Sequence, residues 1–245
     1  MNFLIIDTSS NSTVLGLARG DEILDRTSGE VKTHSREILP SIESLLHDAG
    51  VTPGDLDAVI YGRGPGSFTG LRIAVGVVQG LAYGLQIPTV PVSSMAAMAH
   101  AVVRTNSLEE AHVFVGLFAR LQEVYYGAYH LRTGSFPEDV TPEGVLDVSA
   151  LPVLESRSEA RWLAVGKASE FWSGIESSTG VKFASVTENA IPSVASLLEL
   201  GRQILESGGG QDARQASPVY LREEVAEKPG RARPGRARPA RGTPE

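Results

Sequence analysis

Short apolar strands come along this chain in two clusters, and each cluster gives way to alternation with helices. The first cluster is FLIIDTS, STVLGLARG and EILDRTSGEV, with the polar turn SSNS joining the first two. THSREILPSIESLLHDAG follows; Ile38, Leu39, Ile42, Leu45, Leu46 and Ala49 fall at helical spacing and Gly50 stops the run. Pro40 sits early in it, where a missing N–H is more easily tolerated. The buried strand LDAVIYG, a glycine loop, a helix over 71–85, the strand TVPVS and the helix SSMAAMAHAVV complete a β-β-β-α-β-α unit over 1–103. The chain then restarts with HVFVGLFA and EVYYGAYHL. WLAVGK and VKFASV read as strands around a helix near ASEFWSGIES, and IPSVASLLELGRQIL is a last amphipathic helix opened by Pro192. Two such halves predict a duplicated α/β architecture, with units over 1–103 and 104–227 and a separate segment over 228–245.

Composition narrows the classes. The 245 residues suit one large domain or two modest ones. The absence of cysteine removes disulfides, thiolate zinc sites and a Cys nucleophile together, and fits a reducing compartment. No basic, apolar leader opens the chain, and no run approaches the roughly 18–20 apolar residues of a membrane span, so a cytoplasmic protein without membrane contact is expected. The net charge of −7 conceals an asymmetry. Residues 228–245 hold six basic residues and one acid, which gives +5 and leaves −12 on residues 1–227. An acidic body is a poor non-specific binder of nucleic acid, because phosphate contacts supply most of that affinity. The basic segment contains a near-tandem GRARP repeat with nothing apolar larger than Ala, and is expected to be disordered from about Lys228. It is either a solvated extension or a weak electrostatic contact with RNA.

The run GRGPGSFTGLR, residues 62–72, looks like a phosphate loop but fails both common patterns. A Walker loop requires Gly-Lys-Ser/Thr five residues after its first glycine; here Gly64 leads to Thr69 and Gly66 to Leu71, with no lysine. The dinucleotide fingerprint needs its third glycine at residue 69, and it stands at Gly70. Two readings remain: N–H groups offered to an anion before a helix, or a tight strand-to-helix turn that needs glycine. In the helix that follows, Gly76, Gly80 and Gly84 line one face. Each interior glycine costs about 1 kcal/mol against alanine, so another backbone should come close, either from the chain's own sheet or from a partner helix.

At GPGSFTGLR, taken with FLIIDTSS, HSREILPSIESLL, the strand pair around Ala119-Arg120 and Glu123-Val124-Tyr125, and PVYLR at 218–222, the chain closely resembles the bacterial TsaB family, also called YeaZ. The resemblance covers about residues 1–227. It implies an actin-like (ASKHA) fold of two RNase H-like α/β subdomains, paralogous to the catalytic subunit TsaD. With TsaD and the ATPase TsaE, such proteins serve threonylcarbamoyl transfer to the adenosine beside the anticodon of tRNAs that read ANN codons. The TsaB subunit is implied to be a non-catalytic scaffold that meets tRNA through the complex and can form a homodimer when alone. No tightly bound cofactor is expected on this chain; ATP and a metal ion belong to the partner subunits. The family's partner surface is built from the first two helices, here about 33–49 and 71–85. Ile38, Ile42, Leu45 and Leu46 on the first, and Ile73, Gly76, Val77, Gly80 and Gly84 on the second, are assigned to it.

Actin-like phosphotransferases place an acid after the first strand of each domain. Asp7, before Thr8 and Ser9, fits the first position, whereas Phe118 stands where the family usually has Asp before Ala-Arg. Asp7, Thr8, Ser9, Gly64, Gly66, Ser67 and Thr69 are therefore candidate phosphate or nucleotide contacts, with a strand-end cap as the other role for Asp7. The alternative functions are an autonomous kinase or ATPase and a glycoprotease-like peptidase. Against the latter, His34, His47, His100, His112 and His130 include no two closer than twelve residues, and neither a local metal motif nor a G-x-S-x-G elbow is present. His34-Ser35 reads as a helix start with a capping hydroxyl. No residue is assigned to catalysis or to metal.

Overall fold

The structure, a computed structural model, describes residues 1–30, 34–154 and 161–221. The basic segment expected to be disordered, Arg222 of PVYLR and the side chain of Ser35 lie outside the described residues.

The first half builds a mixed sheet from β1 (Asn2–Asp7), β2 (Ser12–Arg19), β3 (Glu22–Asp25), β5 (Ala58–Gly62) and β6 (Thr89–Val92), in the order β3-β2-β1-β5-β6. β1 pairs antiparallel with β2 and parallel with β5, and β5 runs parallel to β6. The third expected strand is broken: β3 stops at Asp25, and β4 (Ser28–Glu30) resumes the pairing with β2 in the same register, Thr13 opposite Ser28, before the register shifts by one residue at Ser12. Asp25 causes the break locally, since its carboxylate accepts the Thr27 N–H at 2.7 Å and turns the backbone out of line. The second half repeats the arrangement. β7 (Glu110–Arg120), β8 (Glu123–Arg132) and β9 (Glu138–Asp147) form an antiparallel meander, and β10 (Trp162–Val165) and β11 (Phe183–Thr187) continue from β7 in parallel, giving β9-β8-β7-β10-β11. Both sheets thus have one topology, and the duplicated α/β architecture expected from the strand clusters is the one observed, in keeping with the actin-like fold that the family resemblance implies.

α1 (His34–Asp48) and α2 (Phe68–Leu85) cover one face of the first sheet. α1 ends as the sequence predicts: Gly50 takes the left-handed conformation (φ 63°) and the Val51 N–H returns to the Leu46 carbonyl at 3.0 Å. Two details differ. Because α1 already begins at His34, Pro40 is interior to it rather than in its first turn, and stands on the exposed side. Leu39 lies one step off the apolar stripe and is exposed. α2 starts at Phe68, three residues earlier than the periodicity indicates, because the Ser67 hydroxyl caps it by accepting the Gly70 N–H. α2 is also the one helix among the described residues long and apolar enough to cross a membrane, with a mean hydropathy of 1.3. That apolarity has a local origin: Leu71, Ala74, Val75, Val78 and Ala82 pack on the sheet, and glycines occupy much of the opposite face where charges usually stand.

The other faces of the two sheets enclose α3 (Ser94–Thr105) and α5 (Val194–Glu206), which exchange places. α3 follows the first sheet but packs on β7, β8 and β10; α5 follows the second sheet but packs on β1, β2, β5 and β6. A Cβ on Gly201 of α5 would lie 2.7 Å from Ile60, and one on Gly16 would lie 2.3 Å from Val194. One apolar core therefore spans both halves. Where the two helices touch, His100 Nδ1 lies 3.1 Å from Ser196 Oγ and Nε2 lies 3.4 Å from Glu199. Burial pushes its pKa down and outweighs the glutamate. A smaller core on the outer face of the second sheet gathers Phe114, Trp162, Trp172 and Ile175 under α4 (Trp172–Thr179).

A polar clasp also ties the halves together. The Glu143 carboxylate on β9, whose side chain is only 10% exposed, accepts the Tyr129 hydroxyl at 2.9 Å and the Ser93 hydroxyl, and pairs with the Arg63 guanidinium at 3.2 Å. Tyr129 belongs to the second half, whereas Arg63 and Ser93 follow β5 and β6 of the first. Burial and the Glu143 charge together hold the Tyr129 phenol well above its ordinary pKa and raise that of Asp139.

Candidate partner interface and the glycine loop

The end of β1 is closed by the loop that leads into α2. Asp7 is fully buried: its Oδ1 accepts the Ser9 N–H at 2.7 Å and the Ser9 hydroxyl at 2.6 Å, and its Oδ2 accepts the Ser94 hydroxyl at 2.6 Å. Ser94 Oγ in turn accepts the Gly64 N–H at 3.1 Å. Desolvation raises the Asp7 pKa, against the lowering effect of these hydrogen bonds. Thr8 is equally buried and donates its hydroxyl to the Gly70 carbonyl at 2.7 Å, while the Ser67 N–H donates to the Ser9 carbonyl at 2.7 Å. A Cβ on Gly66 would lie 2.2 Å from the Ser9 oxygen, and one on Gly70 would lie 2.0 Å from the Thr8 oxygen. Of the two readings of the loop, the geometry supports the tight turn: its glycines allow loop and strand end to close on each other.

The candidate phosphate contacts accordingly separate. Asp7, Thr8, Ser9 and Gly64 are buried and occupied in bonds within the chain; Ser67 and Thr69 are exposed, with Gly66 between these extremes. Asp7 acts as a strand-end cap and presents no oxygen to solvent. Topology places the end of β7 in the second half where Asp7 stands in the first, and Phe118 is there. Its ring is 55% exposed and lies parallel to Phe171, with centroids 6.1 Å apart and an interplanar angle of 2°. Both rings border a cleft of about 1040 Å³ between the halves, which Ser9–Ser12, Ser67, Tyr125, Lys167 and Glu188 also line. Of the two positions where the resemblance implies an acid pair, one holds the sealed Asp7 and the other the exposed ring of Phe118.

The histidines also find places that spacing could not show. His112 and His130 are directly opposite across β7 and β8 and stack at 4.5 Å, with Glu110 and Glu138 flanking His130. Among the described residues no group of three or more histidine or carboxylate side chains converges as metal ligands would.

The residues assigned to a partner surface divide sharply. Ile38, Ile42, Leu45 and Leu46 are buried in the core between α1, α2 and the first sheet, so they cannot touch a partner in the folded chain. The apolar stripe of α1 faces its own sheet, as such a stripe on a surface helix ordinarily does. On α2, Ile73 and Val77 are half-buried at the margin, and Gly76, Gly80 and Gly84 are exposed. Among the described residues, a Cβ built on any of these three glycines meets nothing within 4 Å. Arg72 and Tyr83 flank the stripe, and Tyr83 is 68% exposed. The sequence reading missed both, although their spacing of three and four residues from the glycines places them on the same face. Among the described residues, no atom of the chain stands above this glycine groove.

A statistical model of the family described as "TsaD: tRNA N6-adenosine threonylcarbamoyltransferase" matches residues 27–229. The chain is 30% identical to the tRNA threonylcarbamoyladenosine biosynthesis protein TsaB of Escherichia coli, over 93% of this chain and 97% of that protein. It is also 30% identical to the TsaB protein of Haemophilus influenzae, over 94% and 98%. Among solved structures, YeaZ from Pseudomonas aeruginosa superposes with a TM-score of 0.80 at 33% identity, covering 90% of this chain and 99% of that one. Relatives matched over nearly their full length and a shared fold agree: the chain belongs to the TsaB family, also called YeaZ.

Proposed function

We propose that this chain is the non-catalytic partner subunit of the machinery that makes threonylcarbamoyladenosine in tRNA, acting in the cytoplasm by binding a TsaD subunit through α2, with TsaE joining the assembly. The relatives' names supply the pathway. The observation that carries the role is the open glycine stripe. Three interior glycines each cost about 1 kcal/mol of helix stability against alanine, and none of the described residues approaches them in return. A partner helix seated on Gly76, Gly80 and Gly84 would bring two backbones within close packing distance, with Ile73, Val77 and Tyr83 as apolar margins. The same face, paired with itself, accounts for a homodimer of the isolated chain. The kinase and peptidase readings find no support in the sealed Asp7, the exposed Phe118 or the scattered histidines. ATP and metal chemistry belong, in this account, to the partners.

The test is Gly80→Leu. Its side chain enters open space, so the isolated chain keeps its circular dichroism and gains up to about 1 kcal/mol in urea unfolding. Binding to TsaD, measured by titration calorimetry, is expected to weaken by at least tenfold because the branched side chain overpacks the contact. A variant that binds TsaD as tightly as the wild type would remove α2 from the interface.

A further inference from the structure

We propose that the Arg72 guanidinium is a carboxylate receptor for the TsaD helix seated on α2, so that an Asp or Glu of that helix closes one end of the glycine groove and sets its register. The inference rests on the functional reading above. Arg72 is the one charged residue of α2. It is exposed and stands one turn before Gly76, about 6 Å along the helix axis, on the row that continues through Gly80 and Gly84. The glycines present no side chain that would stop a seated helix from sliding by a turn. A directional charge pair at one end does so.

An exposed arginine ordinarily samples many rotamers, and holding it still costs entropy. Arg72 is held from two sides. Its Nε donates to the Tyr220 hydroxyl at 3.1 Å, and its guanidinium carbon lies 3.8 Å from the centre of the Phe68 ring and 6.0 Å from that of Tyr220. Phe68 precedes it by one turn of the same helix. Tyr220 arrives on a segment fixed along α2 and β5: the Gln79 side-chain amide donates to the Ala216 carbonyl at 2.8 Å, and the Val219 N–H donates to the Arg63 carbonyl at 2.8 Å. Both rings are themselves partly exposed, so the guanidinium is stacked without being sealed. Of its five N–H groups, only that of Nε is taken; the four on the terminal nitrogens meet no acceptor among the described residues. A guanidinium fixed with that edge free matches a carboxylate through two parallel N–H···O bonds, a geometry lysine cannot offer. Charge over the whole chain favours the same pairing. Residues 1–227 carry −12, so a partner's carboxylate is repelled by the body at large and meets a fixed opposite charge at this end of the groove.

Titration calorimetry of the full chain against TsaD from the same organism reads the receptor, with circular dichroism checking the fold of each variant. Arg72→Gln is expected to weaken binding by at least tenfold. Arg72→Lys should weaken it less, since it keeps the charge and loses the paired geometry; it also takes the place of Arg72→Gln if that variant does not fold. Tyr220→Phe releases Nε without removing the charge, and should weaken binding by about two- to fivefold through lost preorganisation. A charge swap then separates recognition from packing. Each Asp and Glu on the TsaD helices is changed to Lys in turn; one such variant should lose the wild-type chain and regain at least tenfold in affinity with Arg72→Glu. An arginine that merely holds the 216–220 segment in place gives no such recovery. TsaD binding unmoved by Arg72→Gln, with the wild-type complex formed, would overturn the receptor and leave the partner role intact. A loss confined to self-association of this chain, or to tRNA binding by the assembled complex, would overturn it in favour of a second copy or of RNA. The acids Glu223 and Glu224 follow Tyr220 in the sequence. If changing both to Gln destabilises the chain as Arg72→Gln does, with TsaD affinity unmoved by either, the receptor serves the chain's own acids and the proposal falls. No binding of the wild-type chain to TsaD at all would overturn the partner role and the receptor together.

Discussion

Asp7 shows how a residue with the right position for chemistry can be given over to structure. Its carboxylate gathers three donors from Ser9 and Ser94 and has no exposed surface. Asp7→Ala leaves those donors without an acceptor in a buried site, and is expected to cost about 2–4 kcal/mol in urea unfolding. Asp7→Asn keeps an acceptor for Ser9 and should cost less than about 1 kcal/mol. The pH dependence has a definite sign. The folded pKa is raised above 3.8, so the folded chain holds this proton more tightly than the unfolded one. Asp7 therefore withdraws stability as pH rises from its ordinary value through its raised value, and Asp7→Asn should flatten the unfolding free energy in that acid window. A larger loss for Asn than for Ala would refute the capping role. The position of Asp7 was legible in the sequence as the end of an apolar strand. Its burial was not, because the residues that close over it, Gly64 to Gly70 and Ser94, arrive from far along the chain.

At the scale of elements, periodicity served where a helix or strand has one apolar face, and failed where it does not. α1, α5 and most strands follow their apolar spacing, whereas α3 is buried on every side from Ser94 to Val103. β9 escaped it because EDVTPEGVLD carries four acids in ten residues without regular alternation and contains Pro142 and Gly144. It is an edge strand with a bulge, where Pro142 and Glu143 together oppose Gly127 and a missing ladder N–H is tolerated. The bulge falls at Glu143, the carboxylate that meets Arg63, Ser93 and Tyr129. Glu143→Ala should destabilise the chain by about 2–4 kcal/mol, toward the lower end because Arg63 is partly exposed, and Glu143→Gln by about 1 kcal/mol. Denaturant unfolding reads both, and a loss below about 0.5 kcal/mol for Ala would show that the halves are held by their apolar core alone. For α2, the sequence displayed the glycine stripe but not which way it faces. Four-residue spacing fixes a common side; only the packing of Leu71, Ala74, Val75, Val78 and Ala82 on the sheet turns that side outward. The same blindness misassigned α1, whose apolar residues serve the core rather than a partner.

Across the whole molecule, two sheets of one topology share a core through the exchange of α3 and α5, and a clasp at Glu143 joins them again from the side. The duplication was readable from the recurrence of strand clusters; the exchange was not, since neither the amphipathic α5 nor the fully buried α3 carries a mark of the sheet it packs on. Within this frame Asp7 is sealed and Phe118 is exposed, while α2 carries a glycine face that none of the described residues covers. The central claim is that this open face is completed by another subunit. Its most direct test is the light-scattering mass on a sizing column of this chain mixed with TsaD from the same organism, beside each protein alone. The account predicts a single peak at the mass of a complex of the two, formed at the expense of any homodimer and lost with Gly80→Leu. Two unmixed peaks for the wild-type chain, with TsaE and tRNA also supplied, would contradict it.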